Sequence, residues 1–227
     1  MCGRKTLTKN IASIIQELHI DDWLYPDFIP SYNIAPSQFS PVVIGKNDCR
    51  VVKKMQWGFE NDWKNKKVYS PIINARSETL LETSSFNRLI HSNRCIIIAD
   101  GYFEWANNSR QPHYIYHPHK QILPMAGLYR TFSNSLDKNV GSYTIITTSA
   151  QEGISKVHHR MPLILQKENI NKWIFNKNDD YVDITKYLTS YTPNLNCHTV
   201  STLVNSPTNN NPDCIKKSNE QQLSMNF

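Results

Sequence analysis

Cys95-Ile96-Ile97-Ile98-Ala99-Asp100-Gly101-Tyr102-Phe103-Glu104-Trp105 is the stretch that decides the fold class. Its first five residues form a continuous apolar run of strand length, which predicts a buried strand. Asp100-Gly101 is the punctuation expected to end it. Working outward, Tyr114-Ile115-Tyr116, Ile122 to Leu128, Tyr143 to Thr148 and Leu163-Ile164-Leu165 read as further strands. Val42-Val43-Ile44 and Val51-Val52, separated by Gly45-Lys46-Asn47-Asp48, predict a hairpin. His198 to Ser201 suggests a last strand.

Helices are few. Ile11, Ile14, Ile15 and Leu18 recur at helical spacing behind Thr8-Lys9-Asn10, a capping sequence. Ser85 to His91 predicts a short helix with Phe86, Leu89 and Ile90 inward, and Lys167 to Phe175 another. Tyr25 to Pro41, Met55 to Ser70 and Asn205 to Asp213 read as irregular segments. Mixed strands with few helices predict an α+β fold rather than a βαβ array.

Composition bounds the function classes. The 227 residues carry 25 Lys+Arg against 19 Asp+Glu, a net charge of +6, and suit one domain with a full core or two small ones. An 11% aromatic content fits a globular chain rather than a disordered one. No apolar run approaches the ~20 residues that span a bilayer, and no apolar block follows Met1-Cys2-Gly3-Arg4-Lys5, so neither a membrane span nor a secretory leader is expected. No glycine-rich nucleotide loop is present. The five cysteines are odd in number and widely spaced, without a C-x-x-C, which predicts reduced thiols inside a cell rather than disulfides or a zinc site. Neither metal nor cofactor is expected. The basic excess fits nucleic acid or an anionic substrate, and equally an ordinary basic protein.

Four segments carry candidate chemistry. Removal of Met1 leaves Cys2 with a free amine and a thiol on one residue, with reference pKa values of about 8 and about 8.5. Such an aminothiol condenses with an aldehyde and closes a five-membered thiazolidine. In Asn74-Ala75-Arg76-Ser77-Glu78 an extended backbone puts Asn74 and Arg76 on one face, an amide beside a phosphate-binding fork. Glu104 between Phe103 and Trp105 is expected to have a raised pKa, suiting acid–base work. In His158-His159-Arg160-Met161-Pro162, extension puts His158 and Arg160 on one face with His159 away. Each segment alone also fits a bland reading: a terminal Cys, a polar turn, a Glu at a strand end, a solvated basic strand end.

Jointly the segments resemble the SRAP family (SOS response-associated peptidase, or abasic-site processing proteins). The resemblance rests on Met1-Cys2-Gly3-Arg4, Tyr32-Asn33-Ile34-Ala35-Pro36, Trp57-Gly58-Phe59, Asn74 to Glu78, Arg94-Cys95 through Trp105, His158 to Pro162, and Val200-Ser201 through Val204-Asn205. It implies a single domain over residues 1–215 with a polar tail at 216–227, built on a barrel-like mixed sheet with a basic groove for single-stranded DNA. It implies that Cys2 crosslinks to abasic sites in that DNA, with Asn74, Glu104 and His158 as catalytic partners and strand cleavage as an associated activity. Arg4, Arg76 and Arg160 match phosphate contacts, and Asn33 and Trp105 line the groove. Trp63 is a further candidate contact, although Glu60-Asn61-Asp62-Trp63 lacks the family's usual Pro. The Lys64, Lys66 and Lys67 run beside it fits phosphate contacts or a solvated loop. Replication machinery is a candidate partner and a monomer the expected state. The implied location is the nucleus in a eukaryotic host, or the cytoplasm or nucleoid in a bacterial one. Two other functions stay open: a thiol peptidase using Cys2, and a non-catalytic reader of modified cytosine.

Overall fold

The structure is a computed structural model that describes residues 2–59, 71–131, 141–175 and 191–218. Among these residues it contains thirteen strands and three α-helices, arranged as two sheets. The strands are β1 (Arg4–Leu7), β2 (Asp22–Leu24), β3 (Ser31–Ile34), β4 (Phe39–Lys46), β5 (Cys49–Trp57), β6 (Asn74–Arg76), β7 (Arg94–Ala99), β8 (Gly101–Trp105), β9 (Pro112–Tyr116), β10 (Leu123–Thr131), β11 (Gly141–Ser149), β12 (Arg160–Pro162) and β13 (Asn196–Thr199). The helices are α1 (Ile11–Leu18), α2 (Ser84–Ser92) and α3 (Ile170–Phe175).

The larger sheet closes on itself. β11, β10, β7, β4 and β5 pair in that order, and β5 returns to pair with β11 in parallel. Closure removes the open edges of these five strands. Ile96, Ile97, Ile98, Met125, Trp57 and Tyr143 of these strands are all buried in the main core, at most 1% exposed. The β4–β5 hairpin turns at Asn47 and Asp48, both with left-handed φ (50° and 59°), the geometry of a type I′ turn. The smaller, five-stranded sheet runs β13-β9-β8-β1-β3, antiparallel throughout.

The opening stretch joins the two sheets. β7 ends at Ala99, as expected from Asp100-Gly101, and because β7 belongs to the barrel and β8 to the smaller sheet, Asp100 also marks the crossing between them. Its carboxylate fixes the crossing by accepting hydrogen bonds from Thr6 Oγ1 (2.5 Å), Thr8 N (2.6 Å) and Thr8 Oγ1 (2.7 Å). Asn10 caps α1 by accepting from Ser13 N–H at 2.8 Å, and α1 buries Ile14 and Leu18.

Several boundaries differ from the sequence expectation. The segment read as irregular from Tyr25 holds β3, whose alternation of Tyr32 and Ile34 with Ser31 and Asn33 spans only four residues and which pairs with β1. Met55 to Trp57 extends β5 instead of opening a loop, Phe59 bridges to Ile72, and residues 60–70, with Trp63 and the lysine run, lie outside the described residues. The strand expected at Leu163 to Leu165 is regular three residues earlier, in β12. Leu163 to Leu165 still bonds β10 and β11, through Ala126 N–H to Leu163 O and Leu163 N–H to Ile146 O. Just beyond residue 215, Lys217 bridges to Val200 and Ser218 N–H donates to Thr199 O. No helix among the described residues is long and apolar enough to cross a membrane.

Candidate active site

β11 is the rail on which the site is assembled. Its Thr147 pairs with Arg76 of β6 on one edge and with Pro162 of β12 on the other. Asn74 and the His158-to-Pro162 segment are therefore brought to one end of the barrel from 84 residues apart. β1 and β8 of the smaller sheet meet this end, with Arg4 opposite Phe103. Cys2, just before β1, is fully buried there.

Alternation along β8 sorts its side chains between two environments. Tyr102 belongs to the main core, whereas Phe103 belongs to a second cluster on the other face with Tyr114, Val200, Val204 and Cys214, against which Trp105 packs. Glu104 shares the face of Tyr102 and is 2% exposed. The expectation that Phe103 and Trp105 bury Glu104 is thus corrected: chain neighbours in a strand point apart, and the inter-sheet core supplies the burial.

The electrostatics follow from that burial. Desolvation raises the Glu104 carboxyl to about 7, opposed by the positive chain terminus. Desolvation, reinforced by the Glu104 charge, pushes the Cys2 thiol well above its ordinary range. The thiol donates to Arg4 O at 3.8 Å, and Asn74 Nδ2 donates to Cys2 O at 2.9 Å. Asn74 Oδ1 and Tyr102 Oη are buried with no hydrogen-bond partner among the described residues. Buried polar atoms are nearly always paired, so two orphans beside one Cys mark a place built for something else to bond.

His158 is half-buried beside this group. Its Nδ1 lies 3.0 Å from Arg160 N and 3.2 Å from Arg160 O, so either tautomer of the neutral ring finds a backbone partner there, and the one that donates to the carbonyl leaves Nε2 free. Desolvation lowers its pKa, with the chain terminus, His159 and Arg160 adding repulsion. His159 does not point away. The two rings stack with centroids 4.4 Å apart, because both residues precede β12 and strand alternation does not reach them.

The arginines divide sharply. Arg76 is exposed at the site's edge. Arg160 is buried and forks onto Glu78 (2.6 and 2.9 Å), with Thr147 O as a further acceptor. Arg4 donates to Asn33 Oδ1 (2.9 Å), Val204 O (2.8 Å) and Asn205 O (3.2 Å). Asn33 is 1% exposed, and its Nδ2 donates to Val204, Ser206 and Asn209 carbonyls. Trp105 Nε1 donates to Asn205 Oδ1 at 2.8 Å, and the Arg4 guanidinium lies 6.0 Å from the Trp105 ring centroid. Arg4, Asn33 and Trp105 thus hold the segment Ser201 to Asn209 against the smaller sheet, and Asn33 departs from the expected groove lining by being buried beneath it.

Sequence reading missed three residues here. Tyr102 was legible from its alternation with Glu104. Glu78 was quoted only as part of a motif. Lys5 gave no signal: it is fully buried on β1, donates to Ile98 O at 3.1 Å, and desolvation lowers its pKa to about 7.

Comparison with known proteins places this arrangement. The chain is 37% identical over 222 residues to "Abasic site processing protein YoqW" of Bacillus subtilis (strain 168), covering 95% of this chain and 99% of that one. It is 29% identical over 271 residues to "Abasic site processing protein HMCES" of Rattus norvegicus, covering 95% and 75% respectively. A crystal structure of a Bacteroides thetaiotaomicron protein shares the fold, with a TM-score of 0.81 at 22% identity over 96% of this chain and 100% of that one. Residues 1–207 match the profile of the SOS response associated peptidase (SRAP) family, and the chain belongs to that family.

Proposed function

We propose that the protein captures abasic sites in single-stranded DNA as a covalent adduct of Cys2, in a DNA-damage response. The observation that carries this reading is the burial of the Cys2 thiol near the Glu104 charge, with Asn74 holding the Cys2 carbonyl. Relatives named for abasic-site processing support the substrate.

With Met1 removed, the Cys2 amine attacks the aldehyde of the ring-opened sugar. A C–N bond forms, the carbonyl oxygen leaves as water, and an imine results. The thiol then adds across the imine: sulfur bonds the former aldehyde carbon and the nitrogen gains a proton. A thiol this strongly desolvated stays protonated in the resting site, which favours attack by the amine first. It also needs a base when its turn comes, and a carboxyl poised near 7 exists in both protonation states at neutral pH. Glu104 takes the thiol proton and returns it to nitrogen. Asn74 Oδ1 accepts from a sugar hydroxyl, and Tyr102 Oη bonds the departing oxygen. Neutral His158, in the tautomer whose Nδ1–H donates to Arg160 O, serves the associated lyase branch: its Nε2 removes the proton next to the imine carbon, and the 3′ C–O bond breaks with phosphate as the leaving group.

Single-stranded DNA fits because an unstacked abasic nucleotide enters a pocket at little cost. Arg76 is the phosphate contact in this reading. Arg4 and Arg160, engaged internally, shape the site, so the salt slope falls to about −1 rather than the −2 to −3 of three or four phosphate contacts. Denaturing electrophoresis after mixing with an abasic single-stranded oligonucleotide tests the proposal. A heat-stable shifted band is expected for the wild type and none for Cys2→Ala. An equal band from Cys2→Ala contradicts it.

A further inference from the structure

A second concavity lies on the outer face of the smaller sheet, at the end of β1 away from Cys2. It is a cavity of about 500 Å³ reached by Thr8. Six steps of extended chain lead from Cys2 to Thr8, about 20 Å. Nothing in the proposed chemistry uses it.

Its walls are aromatic. Tyr114 and Tyr116, alternate residues of β9, stack with centroids 5.2 Å apart and planes 14° from parallel. His198 of β13 meets both edge-on, at 5.8 and 5.4 Å. Gly101 admits this wall, since a Cβ there would lie 2.3 Å from Tyr114 Oη. Tyr114 is buried, whereas Tyr116 and Tyr32 each keep part of their surface open to the cavity.

Its rim is cationic. Lys9, Lys120 and Lys216 line it, and Asp100 is the carboxylate among the lining residues. Both Asp100 oxygens are already taken by Thr6 and Thr8. Lys9 shares Glu17 with Lys167, and Lys216 pairs with Asp213 in an exposed contact of the kind worth about 0–1 kcal/mol. These ammonium groups can turn to an anion at little cost. An aromatic wall beside a cationic rim, in a cavity of ordinary ligand size, matches a flat ring that carries negative charge.

We propose that this pocket binds a nucleotide, with the base against Tyr116 and Tyr32 and the phosphate among Lys9, Lys120 and Lys216. The occupant is either a free mononucleotide or one unit of a bound DNA strand. The site is independent of the chemistry at Cys2.

Calorimetric titration of the full chain tests it with deoxyadenosine 5′-monophosphate, deoxyadenosine and inorganic phosphate. The monophosphate is expected to bind at least about tenfold tighter than either fragment. Tyr116→Ala is expected to weaken it about tenfold, the usual loss of one base stack. Lys120→Asn provides a variant that keeps the fold, because Lys120 is exposed at φ 51°, a conformation Asn tolerates. It is expected to weaken binding severalfold and to reduce its salt dependence. Oligonucleotides of about 4 and about 12 nucleotides distinguish the two sources. If the pocket serves the bound strand, only the longer one loses affinity in Tyr116→Ala. If it serves a free nucleotide, neither does. Crosslinking of a short abasic oligonucleotide is expected to be unchanged in both variants. The proposal is overturned if the monophosphate binds no better than its fragments, if both variants bind it like the wild type, or if short-oligonucleotide crosslinking falls with them.

Discussion

The two faces of strand β8 carry similar residue types and treat them in opposite ways. On the outer face, Arg4, Asn33, Trp105 and the Ser201 to Asn209 segment exchange hydrogen bonds that meet the donors of Asn33 and Trp105 and the terminal nitrogens of Arg4, and among the described residues Arg4 Nε stays unpaired. On the inner face, Cys2, Tyr102, Glu104 and Asn74 are just as buried, yet Asn74 Oδ1 and Tyr102 Oη lack partners and the acids are shifted by desolvation. A satisfied polar network fixes structure at a small net gain per bond. An unsatisfied one costs stability, and that cost is intelligible where a substrate completes the bonds.

The comparison breaks first at Glu104. Glu104→Gln is expected to slow adduct formation about 100-fold, measured by quenched time points on denaturing gels. The same variant tests the strain. The native carboxyl, raised to about 7, binds its proton above the ordinary Glu range of about 4.3, so native stability is full at low pH and falls as pH rises through that window. Urea melts should therefore show Glu104→Gln gaining about 3 kcal/mol on the wild type between about pH 4 and about pH 8.

On the satisfied face the expectation reverses. Asn33→Ala removes bonds to Arg4 and three carbonyls and should cost about 2–4 kcal/mol of stability by urea melt, with the folded fraction still forming adduct. Tyr102→Phe deletes an orphan hydroxyl. Its stability should stay within about 1 kcal/mol of the wild type while adduct formation slows severalfold. A Tyr102→Phe variant that unfolds readily but reacts normally would assign Tyr102 to the core alone. The smallest effect is expected at Arg76→Ala, which should reduce the log–log salt slope of single-strand binding by about 0.7.

The apolar signals were legible in the sequence because period and burial are local. The run Cys95 to Ala99, the spacing of α1 and the Asn47-Asp48 turn all express their structure within a few residues. The polar strands were not. β3, Ser-Tyr-Asn-Ile, alternates over only four residues and is fixed by its pairing with β1, and β2 is three residues long. The site divides on the same line. Asn74, Glu104 and His158 could be quoted from motifs, but which arginines face outward is decided by Glu78 and the Val204 and Asn205 carbonyls, partners 82 to 201 residues away in the chain. Lys5 lies beyond local reading altogether, since nothing in its neighbours signals that a lysine is buried whole.

The most direct measurement is the mass and attachment point of the product formed with an abasic single-stranded oligonucleotide. The account predicts a mass equal to the Met1-free chain plus the oligonucleotide less one water, with fragment ions placing the linkage on Cys2. A linkage on any lysine or other cysteine, or a product that retains Met1, would contradict it.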